Sequence, residues 1–309
     1  MLKPYLLLTL AMLFFSGNFI VGKVFAGTIP PFTLSLLRFS IAIVVLLPFC
    51  YRQLFSNLSV WKTHWKSLWS ISITGVVLFN VCLYSSVQYT TTINAALVDA
   101  MTPTIAAILG YFWIREKLNN FQIIGVGLSF LGTLWIVTRG SFEALVSLSF
   151  NPGDLIMLIG ICFWAIYSIL IKKYGQAFPL LGGLVVTMVL GVIILLPFAI
   201  VEWLNGFPFE LSVPIVSGLL YIGIFPSALA LLFWYKGVDK IGPSKASIFF
   251  NLVPIFVTIL AFVFLDESIT SSQVIGGLLV LSGVYLATFT QKSASVQLKT
   301  NERDWDKTS

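Results

Sequence analysis

The sequence predicts an all-α polytopic membrane protein: ten transmembrane helices arranged as two inverted five-helix repeats. Three observations carry the prediction. Of 309 residues, 58% are hydrophobic and only 10% charged, and the mean hydropathy is +0.97. A soluble domain carries roughly 25% charged residues, so this balance excludes an ordinary globular enzyme. Apolar runs recur along the whole chain, each close to the ~20 residues that cross a bilayer core. Finally, a long stretch of the first half is written again in the second half, an odd number of spans later.

Turn residues and charges separate ten apolar runs, α1 to α10 in chain order. The first is predicted over Tyr5–Phe25. Lys3 ahead of it suggests a secretory leader, but the run reaches Phe25 without a small-residue cleavage site and reads as a membrane helix. "TIPP" breaks the chain before α2 at Phe32–Tyr51. The next loop carries Arg52, Lys62, His64 and Lys66 with Trp61, Trp65 and Trp69, an interfacial aromatic belt. The third to fifth spans are predicted at Leu68–Gln88, Asn94–Ile114 and Phe121–Thr138. After the connector Arg139–Pro152 come Asp154–Lys172, Pro179–Trp203, Val213–Tyr235, Pro243–Leu265 and Ser272–Thr290. The domains expected are 1–147 (α1–α5), 148–290 (α6–α10) and a disordered cytoplasmic tail, 291–309. Cys50, Cys82 and Cys162 all fall in apolar runs and read as free thiols.

Cationic residues orient the chain. With the N-terminus cytoplasmic, fifteen of the 18 lysines and arginines lie inside, Lys23 and Arg139 lie outside, and Arg38 lies within a span. The net charge of +6 therefore marks membrane orientation and not a nucleic-acid surface.

The repeat aligns at an offset of 151. From Ala95/Ala246 to Gly132/Gly283, ten of 38 positions are identical. They include the pairs Pro103/Pro254, Glu116/Glu267, Gly125/Gly276 and Gly132/Gly283. Upstream, "LLPF" at Leu46–Phe49 recurs at Leu195–Phe198. Five spans per unit turn the second copy upside down, the arrangement that places a substrate site between repeats in secondary transporters. Pro103 and Pro254 are expected to interrupt their helices, either lining a cavity or making a packing kink. Glu116 and Glu267 are expected to cap the next helix's N-terminus, with a gating or coupling role as the alternative. Gly125/Gly132 and Gly276/Gly283, seven apart, give α5 and α10 smooth faces for close packing, so both read as scaffold.

The opening "FFSGNFIVGKVFAGTIPPFTLSLLRFSIAIVVLLP" resembles the drug/metabolite transporter superfamily, in its ten-helix branch of paired EamA domains. The matching residues are Gly17, Asn18, Lys23, Pro31 and Arg38–Phe39, joined later by "NAALVDAMTPTIAAILGYFWIREKL" with its terminal Glu116. The resemblance spans about Leu6–Phe289. It implies a multi-pass exporter of amino acids or related metabolites in the cytoplasmic membrane. It also implies a cavity lined by α1, α3, α4, α6, α8 and α9. Phe15 stands where the family often has Trp.

Polar groups inside a bilayer are functional candidates by default. Arg38, Asp99 and Lys23 lie roughly 10, 8 and 3–4 Å below the outer ends of their helices. Asp99 is expected to pair with Arg38 or Lys23, as a static lock or as a gate, coupling or carboxylate-binding group. Deeper candidates for substrate are Asn18, Asn80, Tyr84, Trp164, Tyr167 and Asn251, with interhelical hydrogen bonding as the alternative role. The aromatic surplus reads mostly as lipid-facing filling. The first span has no carboxylate of the kind a proton-coupled cationic drug exporter needs. No His-based or paired-carboxylate site suggests an intramembrane enzyme, and no metal site or cofactor is implied. The partners expected are a small-molecule substrate and the lipid bilayer, with no nucleic acid, in a monomer or weak homodimer. A nucleotide-sugar, nucleobase or drug carrier is the alternative within the superfamily.

Overall fold

The computed structural model describes residues 2–102, 104–105, 108–109, 120–141, 151–206, 212–241 and 248–289. Pro103, Glu116 and the 291–309 tail lie outside them. Among the described residues six helices are long and apolar enough to cross a membrane, three shorter helices are apolar, and there is no strand. α1 is Leu2–Val24, α2 Pro31–Ser56, α3 Trp65–Tyr89 and the first part of α4 Thr92–Asp99. α5 is Asn120–Val137, α6 Pro152–Tyr174 and α7 Leu180–Leu204. α8 is made of Val213–Ile224, a π turn at Phe225–Leu229 and Ala230–Ile241. α9 is Leu252–Leu265 and α10 Ser271–Phe289. Starts follow local chemistry: α2 and α6 begin on Pro31 and Pro152, whose fixed φ suits a first turn, and Asn151 caps α6 by accepting from Gly153 N at 2.7 Å.

The inversion is visible in what meets what. Gln53, near the end of α2, accepts from Gly182 N at the start of α7 at 3.0 Å. Reciprocally, Glu202 near the end of α7 accepts from Phe32 N, Thr33 N and Thr33 Oγ1 at the start of α2 at 3.1, 2.8 and 2.7 Å. Gln53/Glu202 and Thr33/Gly182 share one sequence offset, 149, so the two end clamps are copies of one contact. They can coexist only if α2 and α7 run antiparallel. α5 and α10 are antiparallel too. A Cβ on Gly132 would lie 2.7 Å from Gly276 O, and one on Gly283 would lie close to Gly125 O. The same pseudosymmetry sets α1 against α8 and α9, and α6 against α3 and α4. The repeated glycine faces thus pack on each other as read from their spacing.

Glu267 behaves otherwise than expected. It caps not the next helix, α10, but α4, accepting from Thr92 N at 3.0 Å and Ile93 N at 3.3 Å. The chain end after α9 lies beside the start of α4 because the halves are inverted, and a carboxylate there satisfies N–H groups that a helix cannot satisfy itself. Pro254 also departs from expectation. It lies in the first turn of α9, where a missing N–H costs nothing, rather than in mid-helix.

The broad core runs between α1, α3, α4, α6, α8 and α9, with Met12, Phe19, Leu83, Tyr84, Val98 and Ile161 fully or nearly buried. A second core joins α2 and α7 to α3 through Leu46, Val76, Val77 and Leu195. Val44, Phe49, Phe198, Phe262 and Phe264 face outward, where a bilayer is the apolar solvent. Cys50, Cys82 and Cys162 are free.

Candidate functional site

Arg38 projects from α2 into the core and is only 7% exposed. Its Nε donates to Ser227 Oγ of α8 at 2.6 Å. Its Nη1 donates to Asn80 Oδ1 and Tyr84 Oη of α3 at 2.7 and 3.0 Å, and to Asn18 Oδ1 of α1 at 3.1 Å. Tyr84 Oη donates in turn to Asn18 Oδ1 at 2.7 Å. One guanidinium therefore ties together four helices and three of the six substrate candidates.

The acceptors are aimed by two π turns, Ser72–Leu78 in α3 and Phe225–Leu229 in α8. A π turn widens the helix and leaves carbonyls open to side chains. Asn80 Nδ2 donates to Gly75 O at 2.9 Å and Val76 O at 3.1 Å, which turns its Oδ1 toward Arg38. Ser227 Oγ donates to Ile222 O at 2.7 Å and keeps a lone pair for Nε. Both contacts reach back five residues. The π turns stand in equivalent spans of the two halves.

The expected pairing of Asp99 with Arg38 or Lys23 is not formed. Among the described residues every oxygen bonded to Arg38 is neutral. Lys23 Nζ donates to Val87 O and Thr90 O, both at 2.8 Å, at the negative C-terminal end of α3. Asp99 is half-buried and accepts from Thr102 Oγ1 at 3.4 Å. Side-chain reach decides this: Lys23 stands in the last turn of α1, within reach of the last carbonyls of α3.

α4 is broken at Asp99. Met101 N reaches Val98 O at 3.0 Å, a tighter three-residue bond, before Thr104 N and Ile105 N restart from Met101 O. In the other half a 3-10 turn, Ile248–Asn251, precedes α9. The 151 offset places Ala100 opposite Asn251, so a departure from α geometry stands just ahead of the repeated proline in both halves. Asn251 is half-buried at that junction, and Ser16 Oγ of α1 donates to the nearby Val253 O at 3.2 Å.

The interior is more aromatic than expected. Trp164 lies 4.8 Å from Tyr167 and 4.5 Å from Phe79, ring centre to ring centre. Tyr167 covers Gly75, where any Cβ would collide with its ring. Across the molecule Phe15 stacks on Phe250 at 6.3 Å, and Trp234 meets Phe250 at 4.7 Å.

Sequence reasoning missed two groups. Ser227 follows Pro226 inside a span, a pairing that signals a disturbed helix. Asp154 reads as an ordinary first-turn acid after Asn151, yet it is fully buried, accepting from Thr90 Oγ1 at 2.5 Å and Asn94 Nδ2 at 3.5 Å. Gln273 Nε2 donates to Asn94 Oδ1 at 2.7 Å. With Lys23 and Glu267, these residues join the ends of α1, α3, α4, α6 and α10 in one polar layer.

A family model described as the EamA-like transporter family matches this sequence twice, over residues 2–138 and 151–289. The chain belongs to the EamA-like transporter family. It is 30% identical to a Bacillus subtilis protein described as uncharacterized transporter YyaM, across 93% of each chain. It is 30% identical to an uncharacterized transporter of Archaeoglobus fulgidus, covering 94% of this chain and 98% of that one. It is 31% identical to uncharacterized transporter YetK of Bacillus subtilis, covering 93% and 87%. A protein crystal structure shares the fold, with TM-score 0.64 at 20% identity over 93% of this chain and 98% of the other. The EamA-like chain is thus a multi-pass membrane transporter, and its two halves are the two matched copies.

Proposed function

We propose that this chain is a secondary carrier of the cytoplasmic membrane, without enzymatic activity, that exports amino acids or related small metabolites. Its two inverted halves alternate access to a site between them. The observation that carries the reading is the pair of equivalent non-α turns, at Ala100–Met101 within α4 and at Ile248–Asn251 at the start of α9. Interrupted helices between inverted repeats offer substrate both helix ends and free backbone groups at membrane depth. Asn18, Asn80 and Tyr84 form the polar side of the site around Arg38, and Trp164 and Tyr167 form an aromatic side. Asn251 ends the turn that leads into α9. Asp99, half-buried at the α4 break, is the coupling or ammonium-binding group, and Lys23 belongs to the outer gate. The charge distribution favours both termini in the cytoplasm; the cell is taken as bacterial and the working unit as a monomer or weak homodimer.

The test is an unbiased metabolite profile of cells producing the chain, beside cells producing Asp99→Asn at equal membrane levels. The expected outcome is medium enriched in one or a few amino acids, with at least ten-fold less enrichment for the variant. A medium unchanged by the wild-type chain would sink the export reading.

A further inference from the structure

A guanidinium remains charged in proteins, and a buried charge without a counter-ion costs several kcal/mol. Arg38 carries that cost: Asn18, Asn80, Tyr84 and Ser227 give it oxygens but no negative charge. Those bonds use Nε and Nη1. Among the described residues Nη2 makes none, although Arg38 is 93% enclosed (7% exposed). Nor is Nη2 sealed off. The fully enclosed side-chain atoms left without a partner include Ser35 Oγ, Ser86 Oγ and Thr92 Oγ1, and Nη2 is not one of them. A rigidly held cation with two N–H bonds to spare, inside the core and beside the Phe39 ring at 5.1 Å, is suited to bind an anion.

The structure assigns this role: Arg38, through Nη2, receives the carboxylate of the transported solute. The inference rests on the reading of the chain as a carrier of small metabolites and adds the chemistry by which one end of the solute is recognised. Charge balance favours a carboxylate. A single guanidinium neutralises a monoanion, whereas a phosphate dianion would remain half uncompensated in a low-dielectric site. Recognition is sharp for the same reason, since a solute lacking the anion leaves Nη2 unpaired and the charge unbalanced. The neutral oxygens have a second use. They fix the guanidinium plane without discharging it, so the geometry is set before the solute arrives.

The experiment uses the full chain in proteoliposomes, with counterflow of labelled L-amino acids as the readout. Competitors are each transported amino acid unlabelled, its α-carboxamide, glycerol 3-phosphate and lactate. The expected result is that the carboxamide competes at least ten-fold less well than the acid on the wild-type chain. Arg38→Gln abolishes counterflow, and Arg38→Lys retains a measurable fraction. The carboxamide comparison needs no variant, so a folding defect from removing a four-helix hub does not blunt it. Equal competition by acid and carboxamide overturns the Arg38 assignment and leaves amino-acid transport standing. Lactate exchange lost in Arg38→Gln, with no amino acid moving, supports Arg38 and overturns the amino-acid reading. Glycerol 3-phosphate competing better than any carboxylate overturns the choice of anion.

Discussion

A single residue can be asked whether Arg38 is a lock or a receptor, because Asn18 offers a nearly isosteric way to discharge it. Asn18 Oδ1 accepts from both Arg38 Nη1 and Tyr84 Oη. Asn18→Asp preserves both bonds and turns the first into an ion pair, roughly twice as strong as a neutral bond. If the four-helix hub only held the fold together, the variant would transport as well as wild type or better. If the free charge receives the solute, an internal carboxylate competes with it. The expected outcome is an unfolding temperature in detergent no lower than wild type, together with at least a ten-fold loss of counterflow. Wild-type counterflow in Asn18→Asp would remove the charge from the mechanism. The sequence allowed this site to be found in part. Asn80 and Tyr84 are four apart and share a helical face, and an arginine inside a span demands partners. It did not show that the partners would be neutral, since that depends on how α1, α2, α3 and α8 approach, which no local pattern encodes.

At the scale of elements, α5 and α10 form a backbone-to-backbone contact that only glycine permits. A Cβ on Gly132 would meet Gly276 O and Val280 N, each at 2.7 Å, and neither is a side chain able to turn away. On the same helix Gly127 is exposed, with no atom within 4 Å of its would-be Cβ. Gly132→Ala is therefore expected to destabilise by about 1–3 kcal/mol, the usual cost of overpacking, and Gly127→Ala to leave stability unchanged or raise it by up to ~1 kcal/mol. Thermal unfolding of the purified proteins checks this, and equal effects at both sites would count against the packing. These faces were legible because a seven-residue spacing survives from sequence to surface. The break in α4 was not, because residues 92–109 read as one apolar run in which a three-residue turn at Met101 leaves no compositional trace. Glu267 misled for a different reason: the helix it caps lies in the opposite half, 174 residues upstream at Ile93.

For the whole molecule, antiparallel packing fixes the two halves relative to each other but not to the cell. Charge supplies the second relation. Lysines and arginines near span ends resist translocation, and with both termini inside, the α2–α3 loop with Arg52, Lys62 and Lys66 faces the cytoplasm. The end of α7 then faces outward, because α7 is antiparallel to α2 and Glu202 clamps the start of α2. Ser59 and Asn205 are both exposed and report these opposite faces. In a chain whose three native cysteines are replaced by alanine, Asn205→Cys is expected to react with a membrane-impermeant maleimide on intact cells. Ser59→Cys should react only after the membrane is opened. Both variants must keep counterflow, so that the labelled molecules are the folded ones. Labelling of Ser59→Cys on intact cells, with Asn205→Cys protected, would place the termini outside. It would also reverse the sides assigned to the polar layer of Lys23, Asp154 and Glu267, making it an inner gate.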